Sequence, residues 1–239
     1  MLLVGLVVIA TISLISSGAA QEADDLLPPE LNFSLHTHLE RQQIPARKPV
    51  PIALHMGGKI WNRDHTGTPG LREVQFEGDR HAEIDVVGRP TCGARDLPAS
   101  PPPWRRCADA IVGRGHATVI SAFPENTPMT IDLGITVFNS GVSGGITRLS
   151  AYAYMPVIEP GPILVPIKIS RVKNGRYGWR ALASVPIIFG GSSYITSVDL
   201  TLRKDIFSVA CPGESLQATT RSVFSDGTVI GSTSIQKCR

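Results

Sequence analysis

What most constrains this chain is a period of two. Leu31, Phe33, Leu35 and Leu39 are interleaved with Asn32, Ser34, His36 and His38. The alternation returns in Ile131, Leu133, Ile135 and Val137, and again in Val165, Ile167 and Ile169. Successive side chains of a strand point to opposite faces, so this spacing marks strands with one apolar and one polar face. Similar runs cover Ile52, Leu54, Met56 and Ile60, then Val74 and Phe76, then Ala82, Ile84 and Val86. Others cover residues 112–123 and 147–155, Tyr177 with Trp179, Ala181, Ala183 and Val185, and Tyr194 with Thr196, Val198, Leu200 and Leu202. The last two cover residues 216–224 and 228–235. Asn174-Gly175 and Asp226-Gly227 between such runs are hairpin turns. Glu77-Gly78-Asp79-Arg80 and residues 139–145 also read as turns, and Gly57-Gly58 as a bulge or a close approach. The pattern predicts roughly ten to twelve strands and no helix beyond a turn or two near residues 106–110.

Strands with one apolar face must bury it against a second sheet or by closing on themselves. The expected fold is all-β: an antiparallel β-sandwich first, with a partly closed β-barrel as the alternative. Two small β subdomains meeting near residues 98–104 come third. No fixed-period repeat or linker interrupts the pattern, so residues 31–239 read as a single β-rich domain.

The N-terminus addresses compartment. Residues 2–15 are an almost unbroken apolar run that ends in Ser16-Ser17-Gly18-Ala19-Ala20. Small residues at Gly18 and Ala20 suit cleavage before Gln21, so 1–20 is expected to be a signal peptide and 21–30 a flexible lead-in. The apolar run is short for a bilayer span. No Lys or Arg precedes it, which leaves an uncleaved membrane anchor as the alternative to a secreted or extracellular protein. All four cysteines lie beyond this leader. An even count in an exported chain predicts two disulfides, with three connectivities open. The sequential one, Cys92–Cys107 and Cys211–Cys238, is preferred. It ties down the proline-rich stretch before Trp104 and the open ends of the Asp226-Gly227 hairpin.

Charge excludes one class of partner. Lys and Arg number 23 against 20 Asp and Glu. The basic residues gather only weakly, at Arg105-Arg106 and across 168–180, where a nucleic-acid surface needs a concentrated stripe.

Catalytic and metal signals are thin. Gly141-Val142-Ser143-Gly144-Gly145 matches the G-x-S-x-G pattern, but a nucleophile elbow needs a strand-to-helix turn and the residues after it read as a strand. His36 and His38 share the polar face of the first strand and are the candidate metal ligands. A third ligand would have to come from His55, His65, His81, His116, Asp64 or Asp79. Glu83 and Asp85 share a strand face and read as a solvated edge. No catalytic residue and no cofactor is expected. Two aromatic pairs are the candidate ligand contacts: Tyr152 with Tyr154, and Tyr177 with Trp179. If outward, their rings could stack on a sugar or a partner; packing in a core is the competing reading.

Several segments together resemble a family of uncharacterised secreted proteins from actinobacteria. They are Pro51-Ile52-Ala53-Leu54-His55-Met56-Gly57-Gly58-Lys59-Ile60, Leu71-Arg72-Glu73-Val74, Ala110-Ile111-Val112-Gly113-Arg114-Gly115, Thr136-Val137-Phe138-Asn139, Val165-Pro166-Ile167-Lys168-Ile169-Ser170 and Gly175-Arg176-Tyr177-Gly178-Trp179-Arg180. The chain departs from that family at Arg89-Pro90-Thr91-Cys92 and at Gly67-Thr68-Pro69-Gly70. The resemblance implies export, an all-β domain and disulfide pairing, and it brings no established activity. The function expected is a noncatalytic exported domain that binds or scaffolds at the cell envelope, with envelope carbohydrate or another exported protein as partner. A secreted hydrolase acting on polysaccharide or ester bonds, and an assembly or adhesion domain, are the alternatives.

Overall fold

The computed structural model describes residues 30–40, 43–64, 66–97, 104–122, 127–157 and 160–238. The leader, the lead-in up to residue 29, His65, residues 98–103 and the Trp104 side chain lie outside the described part. The strands are β1 (Leu31–Leu39), β2 (Val50–Pro51), β3 (Leu54–Asn62), β4 (Leu71–Asp79), β5 (Ala82–Ile84), β6 (Ile111–Ser121) and β7 (Met129–Ser143). They continue with β8 (Ile146–Met155), β9 (Gly161–Arg171), β10 (Tyr177–Ser184), β11 (Ser193–Leu202), β12 (Phe207–Val209), β13 (Ser215–Phe224) and β14 (Val229–Lys237). One helical turn, Trp104–Cys107, runs into a 3-10 turn, Ala108–Ala110, where the sequence predicted a turn or two.

Eleven strands form one sheet in the order β1-β3-β11-β6-β7-β8-β9-β10-β4-β13-β14. Every neighbouring pair in it is antiparallel. The sheet curls until its two edges meet. Leu35 N–H donates to Ser232 Oγ at 3.1 Å and Thr37 N–H to Ser234 Oγ at 3.2 Å, and the Thr37 and Ser234 hydroxyls lie 2.8 Å apart. The all-β expectation is met, and the architecture is the nearly closed barrel rather than the sandwich. The reason is continuity: one unbroken ladder supplies both walls, so the apolar face is buried by curvature and not by a second sheet. An odd number of alternating strands leaves the first and last running in the same direction. The β1/β14 seam is therefore parallel, and serine hydroxyls do there what a backbone ladder does elsewhere.

Chain order also rules out a division into halves. Late strand β11 sits between β3 and β6, and β4 sits between β10 and β13. The small antiparallel sheet β2-β12-β5 closes one end of the barrel. Its Phe207 and Val209, with Ile52, Ile206 and Val86 beside it, join the interior core formed by Leu54, Phe76, Val137, Leu149 and Trp179.

Both disulfides have the sequential pairing, with Cα atoms 5.7 Å apart for Cys92–Cys107 and 6.0 Å for Cys211–Cys238. Two disulfides point to an oxidising compartment. The Cys92–Cys107 excursion packs on the outside of the wall, where Cys92, Leu97 and Cys107 cover Phe138 and Tyr152. An outer clasp holds the approach to it: Arg89 donates to the Asp205 carboxylate and backbone carbonyl, and Arg203 also reaches that carboxylate. Partial burial pushes the Asp205 carboxyl upward. Hydrogen bonds from its own backbone amide, Arg203 and Arg89 outweigh that and hold it below its ordinary value.

Candidate functional site

The residues singled out in the sequence do not converge. His36 and His38 do project from the outer face of β1, as the alternation requires. His36 Nε2 lies 3.0 Å from Asp199 Oδ1, while His38 faces His55 with ring centroids 6.0 Å apart. His55 Nδ1 is engaged by Thr201 at 2.8 Å. Among the described residues, no group of three His, Cys, Asp or Glu side chains is placed to hold a metal ion. Ser143 ends β7 at an exposed hairpin whose next residues, Gly144 and Gly145, have φ of 60° and 75°. β8 follows directly, so the strand-to-helix geometry of a nucleophile elbow is not formed. Glu83 pairs with Arg171 at 3.4 Å, and Asp85 accepts the Val87 amide at 2.9 Å.

One member of each aromatic pair, Tyr152 and Trp179, is buried, and Tyr154 and Tyr177 are half-buried. Tyr152 is 2% exposed beneath the disulfide excursion, with Tyr154 half-buried beside it. Burial, and then the neighbouring Tyr154, raise the Tyr152 hydroxyl above its ordinary pKa. Trp179 is 3% exposed inside the barrel and stacks on Phe76 at 5.3 Å. A register shift between Tyr177 and Trp179 breaks the alternation that placed them together in the sequence. A similar shift between Ile195 and Ser197 re-phases β11. Ile195 thus lines the interior with Val198, Leu200 and Leu202, where strict alternation from Val198 would have placed Thr196.

What the barrel does build is an interior cavity. Eleven strands about 4.8 Å apart give, if round, a diameter of about 17 Å before tilt is counted, against the roughly 10 Å that facing side chains fill in a sandwich. Many inward residues are also small: Gly58, Ala117, Ala151, Ala153, Ala181 and Ala183. The wall cannot contract to compensate, because its circumference is set by the hydrogen-bonded ladder. A cavity of about 240 Å³ remains. Phe33, Leu35, Ile135, Val165 and Leu200 face it and are only half-buried in consequence. Of the lining residues only Thr220, Tyr152 and Trp179 carry a side-chain nitrogen or oxygen, and none is charged. Apolar cavities of about 150 Å³ are already large enough to accept a small apolar molecule such as benzene.

The ends of this cavity differ. Leu71, Val185, Ile188 and Ile195 also line a second space of about 530 Å³, rimmed by Arg72, Tyr194 and Ser225 at the end away from the small sheet. These four residues stand between the interior and the rim. At the closed end, Phe76 and Trp179 are shared with a niche of about 40 Å³ that also contains Thr37, Asp79, Gln217 and Gln236. Gly78 makes room for the indole: a Cβ there would lie 2.1 Å from Trp179 Cζ2. Trp179 Nε1 has no acceptor among the described residues.

The outer wall has the opposite character. Arg114, His116, Asp132, Lys168, Arg180, Asp199 and Arg221 are exposed on it. A membrane-spanning barrel carries its apolar band outside and its polar residues inside, so this wall is inverted relative to one. No helix among the described residues is long and apolar enough to cross a membrane. Neither a protein-family model nor a curated protein matches the chain.

Proposed function

We propose that this protein is an exported, noncatalytic β-barrel that holds a small apolar molecule in its interior and works at the cell envelope. The observation that carries the reading is the cavity of about 240 Å³, walled by apolar side chains, four of which also line the space at the open end. Burying a ligand there gains roughly 0.8 kcal/mol per methylene, with no lining charge to desolvate. Export rests on the leader-like segment 1–20, the two disulfides and the resemblance to secreted actinobacterial proteins. An apolar ligand supersedes sugar stacking as the favoured chemistry, because Tyr152 and Trp179 are not presented to solvent. The absence of carboxylate, histidine and Ser–His pairs among the described lining residues favours binding over a hydrolase. Strand addition is disfavoured because the two edges of the large sheet face each other across the seam.

The test is saturable binding of N-phenyl-1-naphthylamine, followed by its fluorescence, to the disulfide-bonded protein. Ala151→Phe and Ala181→Phe each place a ring inside the cavity. One dye per barrel, with affinity reduced tenfold or more in a variant that keeps the wild-type circular dichroism, is expected. Absence of binding, or binding unaffected by both rings, refutes the reading.

A further inference from the structure

The open end of the barrel carries a cation with nothing paired to it. Arg72 lines the rim space of about 530 Å³, and no other lining residue there is charged. It is half-buried, and among the described residues its guanidinium has no hydrogen-bond or ion-pair partner. Arg72, Val74 and Phe76 alternate along β4 with Glu73, Gln75 and Glu77, and Val74 and Phe76 line the cavity. Arg72 therefore stands at the mouth end of an inward-facing row. A register shift makes it the extra residue between Glu73 and Leu71, which brings Leu71 to the same side. The Arg72 carbonyl accepts the Val185 amide at 2.8 Å, beside a residue that lines both spaces. On the same rim, Ser225 Oγ accepts the Gly70 amide at 3.1 Å and keeps its own proton to donate. Apolar surface adjoins these donors, because Ile187 is 59% exposed there.

Resting on the reading of the cavity as a ligand site, we propose that the ligand is a single-chain amphiphile with a compact anionic head. The head lies at Arg72, and the chain passes Leu71, Val185, Ile188 and Ile195 into the cavity. A guanidinium presents its N–H donors as a planar fork that matches a carboxylate or a phosphate. The rim lining contains no carboxylate to compete for that fork, and the cavity lining contains no charge. These two linings fix the orientation. A charged head in the interior would lose its water with no partner in exchange, whereas the chain loses only water that it gains by leaving. A cationic head meets Arg72 as a like charge, and a neutral head leaves the guanidinium without a counter-ion.

The experiment keeps one chain and changes its head. Decanoate, 1-decanol and decyltrimethylammonium, each below its micelle-forming concentration, displace N-phenyl-1-naphthylamine from the disulfide-bonded protein. One charge-assisted hydrogen bond predicts decanoate about tenfold tighter than decanol, with the ammonium weakest. Arg72→Gln brings decanoate down to the affinity of decanol, and Arg72→Lys keeps most of the preference. Ala151→Phe weakens decanoate and decanol alike, because both chains lie inside. Should Arg72→Gln fail to fold, the wild type decides. Raising the salt from about 0.01 M to about 1 M must narrow the decanoate preference, and decanoate, unlike decanol, must shift the Arg72 Nε–H signal in proton–nitrogen spectra. If the dye does not bind, or none of the three displaces it, the cavity reading itself falls. If decanol displaces it as well as decanoate does, or the preference survives in Arg72→Gln, the anionic head site falls alone. Decanoate that shifts the Arg72 signal but leaves the dye in place overturns the passage of its chain into the interior.

Discussion

Replacing Ser232 and Ser234 with alanine tests the closure of the barrel. Their hydroxyls accept hydrogen bonds from the Leu35 and Thr37 amides at 3.1 and 3.2 Å, across edges that the parallel seam leaves without a ladder. Each substitution strands one part-buried N–H. Full burial of an unpaired donor costs about 1–3 kcal/mol; partial burial puts each near the lower end, so the double variant should lose about 2 kcal/mol. In a chain of this size that corresponds to a Tm lower by roughly 4–8 °C. Urea unfolding followed by circular dichroism should show a lower midpoint with an unchanged slope, because the surface exposed on unfolding is the same. Hydrogen exchange supplies the local readout: the Leu35 and Thr37 amides lose protection before those of β7 and β8, which are paired on both sides. A double variant within about 0.5 kcal/mol of wild type, with those two amides as protected as before, would refute the idea that serines close the seam.

Two glycines predict contrasting outcomes. A Cβ at Gly78 would meet the buried Trp179 ring at 2.1 Å, whereas one at Gly57 would meet the ends of the exposed His36 and Asp199 side chains. Gly78→Ala should therefore cost about 1–3 kcal/mol of overpacking and alter Trp179 fluorescence, and Gly57→Ala should be close to neutral. Equal unfolding midpoints for the two would contradict this. The Asp205 clasp gives a pH dependence. Its carboxyl is lowered in the folded state, so its contribution is complete above the unfolded value of about 3.9 and is lost as pH falls through the folded one. With the side chain 36% exposed, the effect is below about 1 kcal/mol. Unfolding measured between pH 5 and 2 should fall less steeply in Asp205→Asn than in wild type; parallel curves would remove Asp205 as the cause.

How much of this was legible beforehand follows from the range of each signal. Strand periodicity, the Asn174-Gly175 and Asp226-Gly227 turns and the cysteine pairing were readable, because each depends on residues close together in the chain. Gly57-Gly58 was recognisable as a close approach, and the register continues through both glycines without a bulge. By contrast, residues 139–145 were read as one turn. β7 instead continues to Ser143 through a register shift between Asn139 and Gly141, which the Asn139 side chain stabilises by accepting the Gly141 amide at 3.0 Å. Trp179 was visible as an aromatic on a patterned strand. Its place inside the barrel was not, since that depends on Gly78 and Phe76 of another strand.

By itself, then, the sequence determined the class of structure: strands with one apolar face, the tight turns between them, and crosslinks suited to an oxidising compartment. Only the tertiary structure decided how that apolar face is buried. Whether strands stack as two layers or curl into a ring is set by pairings such as β4 with β13 and β11 with β3, made between segments more than a hundred residues apart. The eleven-strand count of the large sheet fixes the parallel seam and the width of the interior, and that width leaves the cavity. A strand's own alternation says which residues lie together on a face. It carries no information about how far away the opposite wall will stand.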